Sequence, residues 1–473
     1  MKTISKHATA WNPAARGLDM LRELDTFLAA RPALRFIDLL LPDLHGVDRG
    51  KRVDIASSRS IFANGLLLPG SMFALTVAGS TVQATGLGFD EGDADRPCLP
   101  VAGTLVDVPW LAHGVAQVQI AMHERDGQPF AGDPRHLLQR LLTRFAALGL
   151  TPVVAIELEF YLIDKERTPM GLPQPPLSPL TGRREYRTQM NSMIDLDEYS
   201  GVLAAIDHAC HTQAVPSTTA LAEYGPGQFE VNLQHSDNAL SACDQAVRFK
   251  RIVKCVARHH GMDATFLPKP YADMAGSGLH VHVSLNDAQG RNVFASDLPL
   301  GSEPMQHAAA GMLATMADGM AIFAPLANSW RRFRPETYVP LTADWSVNNR
   351  GAALRVPASD ADNRRLEHRV AGAEANPYLV VTWILGGLLH GLTQRRLPQT
   401  PLEGNAYTAA QQRGEALPRY WPTALDRFDQ SSFARELLGP QLHRLYAMVK
   451  RHELDEFNSH VTAQECAAYL PAL

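Results

Sequence analysis

The stretch Val154-Ala-Ile-Glu-Leu-Glu-Phe-Tyr-Leu162 alternates between apolar and acidic side chains. A strand with that period sends Ile156, Leu158 and Phe160 to one face and Glu157 and Glu159 to the other. Two carboxylates on a solvent-turned strand are commonplace by themselves. Three later stretches repeat the pattern. Gln228-Phe-Glu-Val-Asn-Leu233, Leu279-His-Val-His-Val-Ser-Leu285 and Arg365-Leu-Glu-His-Arg-Val370 throw Glu230, then His280, His282 and Ser284, then Glu367 and Arg369 to one side. An antiparallel sheet lined on one face by Glu, His and Arg is an active-site wall.

Around this wall the chain reads as an α+β protein. Its 473 residues, 45% hydrophobic, are too many for one simple domain and enough for a large core. The charge of -5 is spread along the chain, which argues against nucleic acid and for small-molecule chemistry. Five cysteines without a Cys-x-x-Cys spacing read as reduced, buried thiols. Residues 1–16 read as a loose leader with no apolar stretch of the secretory kind. The uncharged run after Ala375 is long enough to span a membrane, but Pro377, Gly386-Gly387 and His390 favour a buried helix, so a cytoplasmic protein without membrane contact is expected.

Helical spacing predicts a helix over Leu18–Leu28, and strands are expected at Phe36–Leu41, Arg52–Ile55 and Phe73–Gln83. Together they suggest a small β-rich domain, with a boundary between Asp126 and Asp133. Beyond it the pattern predicts helices at His136–Leu148, Leu196–Gln213, Ala239–His260, Pro304–Phe323 and Pro377–Leu392, giving a sheet backed by helices. In Ala239–His260 the basic residues Arg248, Lys250, Arg251 and Lys254 read as a solvated face. Thr168–Thr181, with five prolines, reads as a surface loop that could cover the site.

Seven motifs occur in a telling order: Glu157-Leu-Glu159, Glu223-Tyr-Gly-Pro-Gly-Gln-Phe-Glu230, Gly276-Ser-Gly-Leu-His-Val-His-Val-Ser284, Asn328-Ser-Trp-Arg-Arg332, Asn349-Arg350, Arg355-Val-Pro357 and Glu367-His-Arg369. Between residues 154 and 392 the chain thus resembles the glutamine synthetase family. The resemblance implies a β-grasp-like N-terminal domain, residues 17–126, and a catalytic half-barrel domain, residues 133–473. It also implies sites shared between neighbouring subunits of a homo-oligomer, a hexameric ring or a dodecamer of two rings. The implied chemistry uses ATP to phosphorylate the side-chain carboxylate of glutamate, after which an amine displaces phosphate to leave an amide.

By motif, the resemblance places one divalent cation on Glu159, Glu223 and Glu230 and another on Glu157, His280 and Glu367. Carboxylate-rich ligands suit Mg2+ or Mn2+ better than Zn2+. Arg350 and Arg355 match positions that stabilise the moving phosphoryl group, where a fixed cation is needed. Arg332 matches the residue holding the α-carboxylate of glutamate, and Arg369 the one binding its γ-carboxylate. His282, Ser284 and Arg365 match the nucleotide side, while Arg364 reads equally well as a solvated neighbour. Glu374, before Asn376-Pro377, reads as structural.

Departures from the family pattern concern the substrates. Ala275 precedes Gly276 where glutamine-forming members carry Asn. Ala361-Asp-Asn363 replaces a nucleotide-side Lys. Tyr407 falls near the adenylylated Tyr of regulated members, in surroundings that favour a plain surface Tyr. Register through Arg332, Pro335 and Pro340 puts Tyr338 where ammonia-using members carry a flap carboxylate, and Asn64–Ser71 is apolar where an acidic loop is expected. A pocket without those acids favours an organic amine, whether polyamine, alkylamine or aromatic amine, and Glu91, Asp93 and Asp95 could serve a polyamine. The alternatives are a glutamine synthetase with Glu336 as flap acid, and a silent relative. The latter is disfavoured because all six ligand positions remain.

Overall fold

The computed structural model describes residues 13–112, 114–187, 190–410 and 415–473. Most of the expected leader, residues 1–12, lies outside them. The first helix, α1 (Pro13–Ala29), starts before Leu18. A six-stranded sheet follows, formed by β1 (Phe36–Pro42), β2 (Asp48–Asp54), β3 (Leu66–Pro69), β4 (Asp95–Pro100), β5 (Val106–Asp107) and β6 (Val115–Met122). Its order is β2-β1-β6-β4-β3 with β5 beside β6, and only the β1–β6 pair is parallel.

Two local expectations fail here. A second helix, α2 (Ile55–Asn64), follows β2, started by Asp54, whose side chain accepts from the Ser57 amide at 2.8 Å, and stopped by Gly65 at φ 86. Phe73–Gln83 is not a strand. A single 3-10 turn, Gly70–Ala74, buries Phe73, and a turn closed by Gly79 and Ser80 interrupts the rest. The alternating apolar letters of that run were cut by turn residues that outweighed them.

Helix α3 (Pro134–Ala147), capped by Asp133, leads into the second sheet. This sheet contains β7 (Thr151–Asp164), β8 (Ser217–Ala222), β9 (Gln228–Leu233), β10 (Met262–Thr265) and β11 (Leu279–Asn286). The short strands β13 (Trp345–Val347), β14 (Leu354–Val356) and β15 (Leu366–His368) complete it, while β12 (Thr342–Ala343) pairs separately with β16 (Glu415–Ala416). The order is β13-β14-β15-β11-β7-β9-β8 with β10 beside β7, antiparallel except for β13–β14. It is the curled half-barrel sheet, backed by helices, that the motifs implied. The alternation of β7 holds: Ile156, Leu158 and Phe160 are buried in the core while Glu157 and Glu159 face away from it. Thr168–Thr181 is irregular, as its prolines require.

The helix expected over Leu196–Gln213 breaks at Tyr199 into α4 (Met193–Glu198) and α5 (Ser200–Thr212). Helix α6 (Ala239–His259) corrects another expectation, because Arg248 and Lys250 are buried. Arg248 donates to the carbonyls of Gln213 and Thr104, and Lys250 Nζ to that of Ala375 at 2.8 Å. Arg251 reaches Asp38 of β1 at 3.0 Å. Half of the basic stripe thus lies against other elements, while Arg251 is half-buried and Lys254 exposed. Each buried cation is matched to a carbonyl or carboxylate, as burial demands.

Helices α7 (Glu303–Met316), α8 (Met320–Phe323) and α9 (Pro377–Gln394) pack behind the sheet. Small residues let α7 and α9 touch along their backbones: a Cβ on Gly311 would lie 2.2 Å from the Gly391 nitrogen. The cap of α9 is Asn376, whose side chain accepts from Tyr378 N and donates to the carbonyls of Asp43 and Leu44 in the β1–β2 turn. No helix among the described residues is long and apolar enough to cross a membrane. Cys98, Cys210 and Cys243 are buried free thiols, but Cys255 is half-buried and Cys466 exposed, against expectation.

Candidate active site

Register assembles the site. In the β7–β11 pair Glu157 stands opposite His280, in β7–β9 Glu159 opposite Glu230, and in β11–β15 His282 opposite Glu367. Three groupings of ligand atoms result, each within 4.8 Å: Glu159, Glu223 and Glu230; Glu157, Glu230 and His280; and Glu157, His282 and Glu367. The first is the trio expected from the motifs. The second expected trio is divided, with Glu157 serving both His280 and His282, and His282 standing closer to the acids than a purely nucleotide-side residue would. His282 Nε2 lies 2.8 Å from Glu157 Oε1, and His282 Nδ1 accepts from Arg365 Nε at 3.2 Å.

The electrostatics separate the acids into two kinds. Burial would raise Glu157, but hydrogen bonds from His280 and His282 hold it far below the usual carboxylate range. Glu367 sits low, at about 2: burial opposes this, and the charge of Arg369 outweighs it. Both Arg355 Nη1, at 2.8 Å, and Arg369 Nη1 donate to Glu367. On the other side, burial and the neighbouring Glu159 push Glu223 up to about 8, and burial with Glu157, Glu159 and Glu223 pushes Glu230 to about 9. Carboxylates crowded out of water in this way want a counter-cation. The donor set of carboxylate oxygens with imidazole suits a hard divalent ion.

Glycines set the close approaches. Gly278 donates its amide to Glu159 Oε2 at 2.8 Å, and a Cβ there would stand 2.9 Å from His280 Nε2. At Gly276 a Cβ would stand 2.7 Å from Arg332 Cγ, so this glycine leaves room for the arginine. Gln228 ties the surrounding loops together, donating to the Gly276 carbonyl at 3.0 Å and accepting from the Gly225 amide at 2.9 Å. Arg332 is buried, its Nη1 donating to the Val370 carbonyl, while its Nε has no partner among the described residues. A buried guanidinium with a spare donor is suited to an anionic guest. Glu374 also faces it, accepting from Ser329. Its structural role is therefore as a buried partner of Ser329 and Arg332, and the cap expected nearby is Asn376.

Beside the acid wall lies a cavity of about 1280 Å3 lined by Glu157, His282, Ser284, Asn286, Asn363 and Arg365, among others. Arg364 does not share it: it is buried and donates to the carbonyls of Ser296 and Ser359. A second cavity, about 990 Å3, carries Arg350 and Arg355, and the Arg350 carbonyl accepts from Arg369 Nε at 3.0 Å. Glu91 is held by Arg96 at 2.9 Å.

The flap carries Tyr338, exposed and at φ 56, with Glu336 at φ 61 two residues earlier. Tyr407 is half-buried rather than a plain surface residue, and its hydroxyl donates to the Val339 carbonyl at 3.3 Å, fastening the flap. Sequence reasoning passed over Tyr224, which stacks on Tyr338 with ring centres 6.3 Å apart. Its place directly after Glu223 was the available signal.

Comparison with known proteins agrees with this geometry. Residues 131–469 match the glutamine synthetase catalytic domain. Gamma-glutamylputrescine synthetase PuuA of Escherichia coli strain K12 is 41% identical over 95% of this chain and 94% of its own length. A glutamate–isopropylamine ligase from a Pseudomonas species is 32% identical over 90% of this chain and 93% of its own. Among solved structures, a GmaS/ADP complex superposes with a TM-score of 0.83 at 28% identity, covering 95% of this chain and 99% of that one. With its catalytic half matched throughout and a relative aligned over nearly its whole length, the chain belongs to the glutamine synthetase family.

Proposed function

We infer that the protein is an ATP-dependent ligase that joins the γ-carboxylate of glutamate to an organic amine. A γ-carboxylate oxygen attacks the terminal phosphorus of ATP, breaking its bond to the bridging oxygen and releasing ADP. The amine nitrogen then attacks the acyl carbon, phosphate leaves with the bonding pair, and the amine's extra proton passes to a base or water. Glu157, Glu159, Glu223, Glu230, His280 and Glu367, with His282 beside them, would hold divalent cations, which would supply neutralising charge for the phosphate oxygens. Arg350 and Arg355 face the moving phosphoryl group, Arg369 the γ-carboxylate, and Arg332, packed against Gly276, the α-carboxylate. Ser284 and Arg365 line the nucleotide cavity.

The observation that carries this reading is the junction of buried acids and arginines at Glu367, next to a cavity large enough for a nucleotide. For the amine, the names of the two relatives specify putrescine and isopropylamine, both carbon-bearing. An aromatic ring on the flap agrees with such amines, since each buried methylene contributes about 0.8 kcal/mol, or roughly fourfold in affinity. The two domains are taken as residues 17–126 and 133–473, in a cytoplasmic homo-oligomer of ring form. The test is phosphate release with glutamate, ATP and Mg2+ across ammonium, alkylamines, aromatic amines and polyamines, with the amide identified by mass. An organic amine should exceed ammonium at least about tenfold in kcat/KM. Parity with ammonium would make the protein a glutamine synthetase in activity.

A further inference from the structure

We propose that Tyr224, Tyr338 and Glu336 form a subsite for the far end of a linear diamine, an assignment that rests on the ligase reading above. Tyr224 leaves the loop between β8 and β9 one residue after Glu223, so it stands at the rim of the acid wall. Tyr338 comes from the flap and meets it nearly parallel, with 25° between the ring planes. The two rings present aromatic surface to solvent beside Glu223, Tyr338 being 53% exposed and Tyr224 37%. The flap holds this arrangement through two left-handed non-glycine residues, Glu336 and Tyr338, a conformation that bulky residues seldom adopt and that concentrates at functional sites. Tethers from Tyr407 to the Val339 carbonyl and from Thr337 to the Arg334 carbonyl support it.

A diamine has two ends with opposite needs. The attacking nitrogen must be neutral, whereas the far nitrogen stays an ammonium and needs somewhere to rest. The faces of tyrosine rings attract a cation and also cover the methylenes between the two nitrogens. Glu336 is exposed and has no ion pair among the described residues, so its carboxylate is free to complete the charge balance. A monoamine would use the rings and leave that carboxylate idle, and ammonium is too small to reach either.

The experiment uses the full-length protein with Mg2+, ATP and glutamate, and compares kcat/KM for 1,4-diaminobutane with that for n-butylamine. The wild type should prefer the diamine by about tenfold, the scale of one cation held on an aromatic face. Tyr224→Leu and Glu336→Gln should each move the ratio toward one, mainly through the KM of the diamine, while Tyr224→Phe retains the ring and the preference. Should Tyr224→Leu not fold, as thermal melting would reveal, the flap substitution Glu336→Gln carries the test. A ratio unchanged by these substitutions overturns the subsite and leaves the ligase reading intact. Absence of phosphate release with every amine overturns both.

Discussion

At the scale of single residues the site is specified by what each side chain must exclude or hold. Glu159 accepts from the Gly278 amide and stands opposite Glu230, while its strand neighbours Leu158 and Phe160 are wholly buried. Glu159→Gln keeps the shape and can still accept that hydrogen bond, but removes one negative charge from the group. Turnover at saturating Mg2+ should fall by at least about tenfold to a hundredfold, since even outer partners of metal ligands have effects of that size. The melting temperature should be nearly unchanged. Phosphate release and a thermal melt on the same preparation check both, and wild-type turnover would refute the assignment of Glu159 to a cation. The acids and histidines were legible because a period of two leaves no freedom about which face each occupies. The division of labour between His280 and His282 was not, because it depends on which rotamers meet across strands. Tyr224 was missed for a similar reason: its partner Tyr338 is more than a hundred residues away.

At the scale of elements, pattern worked where one face meets a core and failed where neighbours were needed to define the faces. β7, β9, β11 and β15 appear where alternation placed them, whereas Phe73–Gln83 yields to a turn and α6 buries Arg248 and Lys250 of its expected basic face. A helix enclosed by other elements looks amphipathic in sequence even when its charged stripe is buried, because the carbonyls that satisfy those charges come from distant segments. Lys250 shows the cost. Burial pulls its ammonium from 10.5 down to about 7. Its folded-state value is thus depressed, so between these two pH values the unfolded chain binds more protons than the folded one, and stability rises with pH. The penalty is complete below about 7 and disappears toward 10.5, amounting to about 5 kcal/mol at most. Lys250→Met removes the titrating group together with the bond to Ala375. Denaturant melts of the two proteins from pH 6 to pH 10 should therefore show wild type gaining on Lys250→Met as pH rises. Parallel stability profiles would mean that Lys250 is buried without any depression of its pKa.

At the scale of the whole molecule, the two sheets share one continuous core and are latched by buried polar contacts. Glu453, in the helix Pro440–Asn458, meets His45 at 2.9 Å, Lys450 at 2.8 Å and the Val77 amide at 2.6 Å. Yet among the described residues lining the two cavities beside the acid wall, none precedes Val153. The N-terminal sheet contributes no residue to either of these cavities. Its outer strand β3 turns Leu67 to solvent, and Phe89, in the turn Phe89–Glu91 ahead of β4, is 85% exposed. A sheet edge with exposed apolar side chains is suited to a partner, and in the homo-oligomer proposed above a neighbouring copy would supply it. On the homo-oligomeric reading proposed above, activity should belong to the assembly and vanish on dissociation. Light scattering should give a mass of several subunits for the wild type. Leu67→Glu on the edge strand with Phe89→Glu, both remote from the acid wall in sequence, should lower that mass and lose turnover in proportion to the dissociated fraction, with a catalytic half that still melts cooperatively. A dissociated subunit that turns over glutamate, ATP and amine at the wild-type rate would show that each site is complete within one chain.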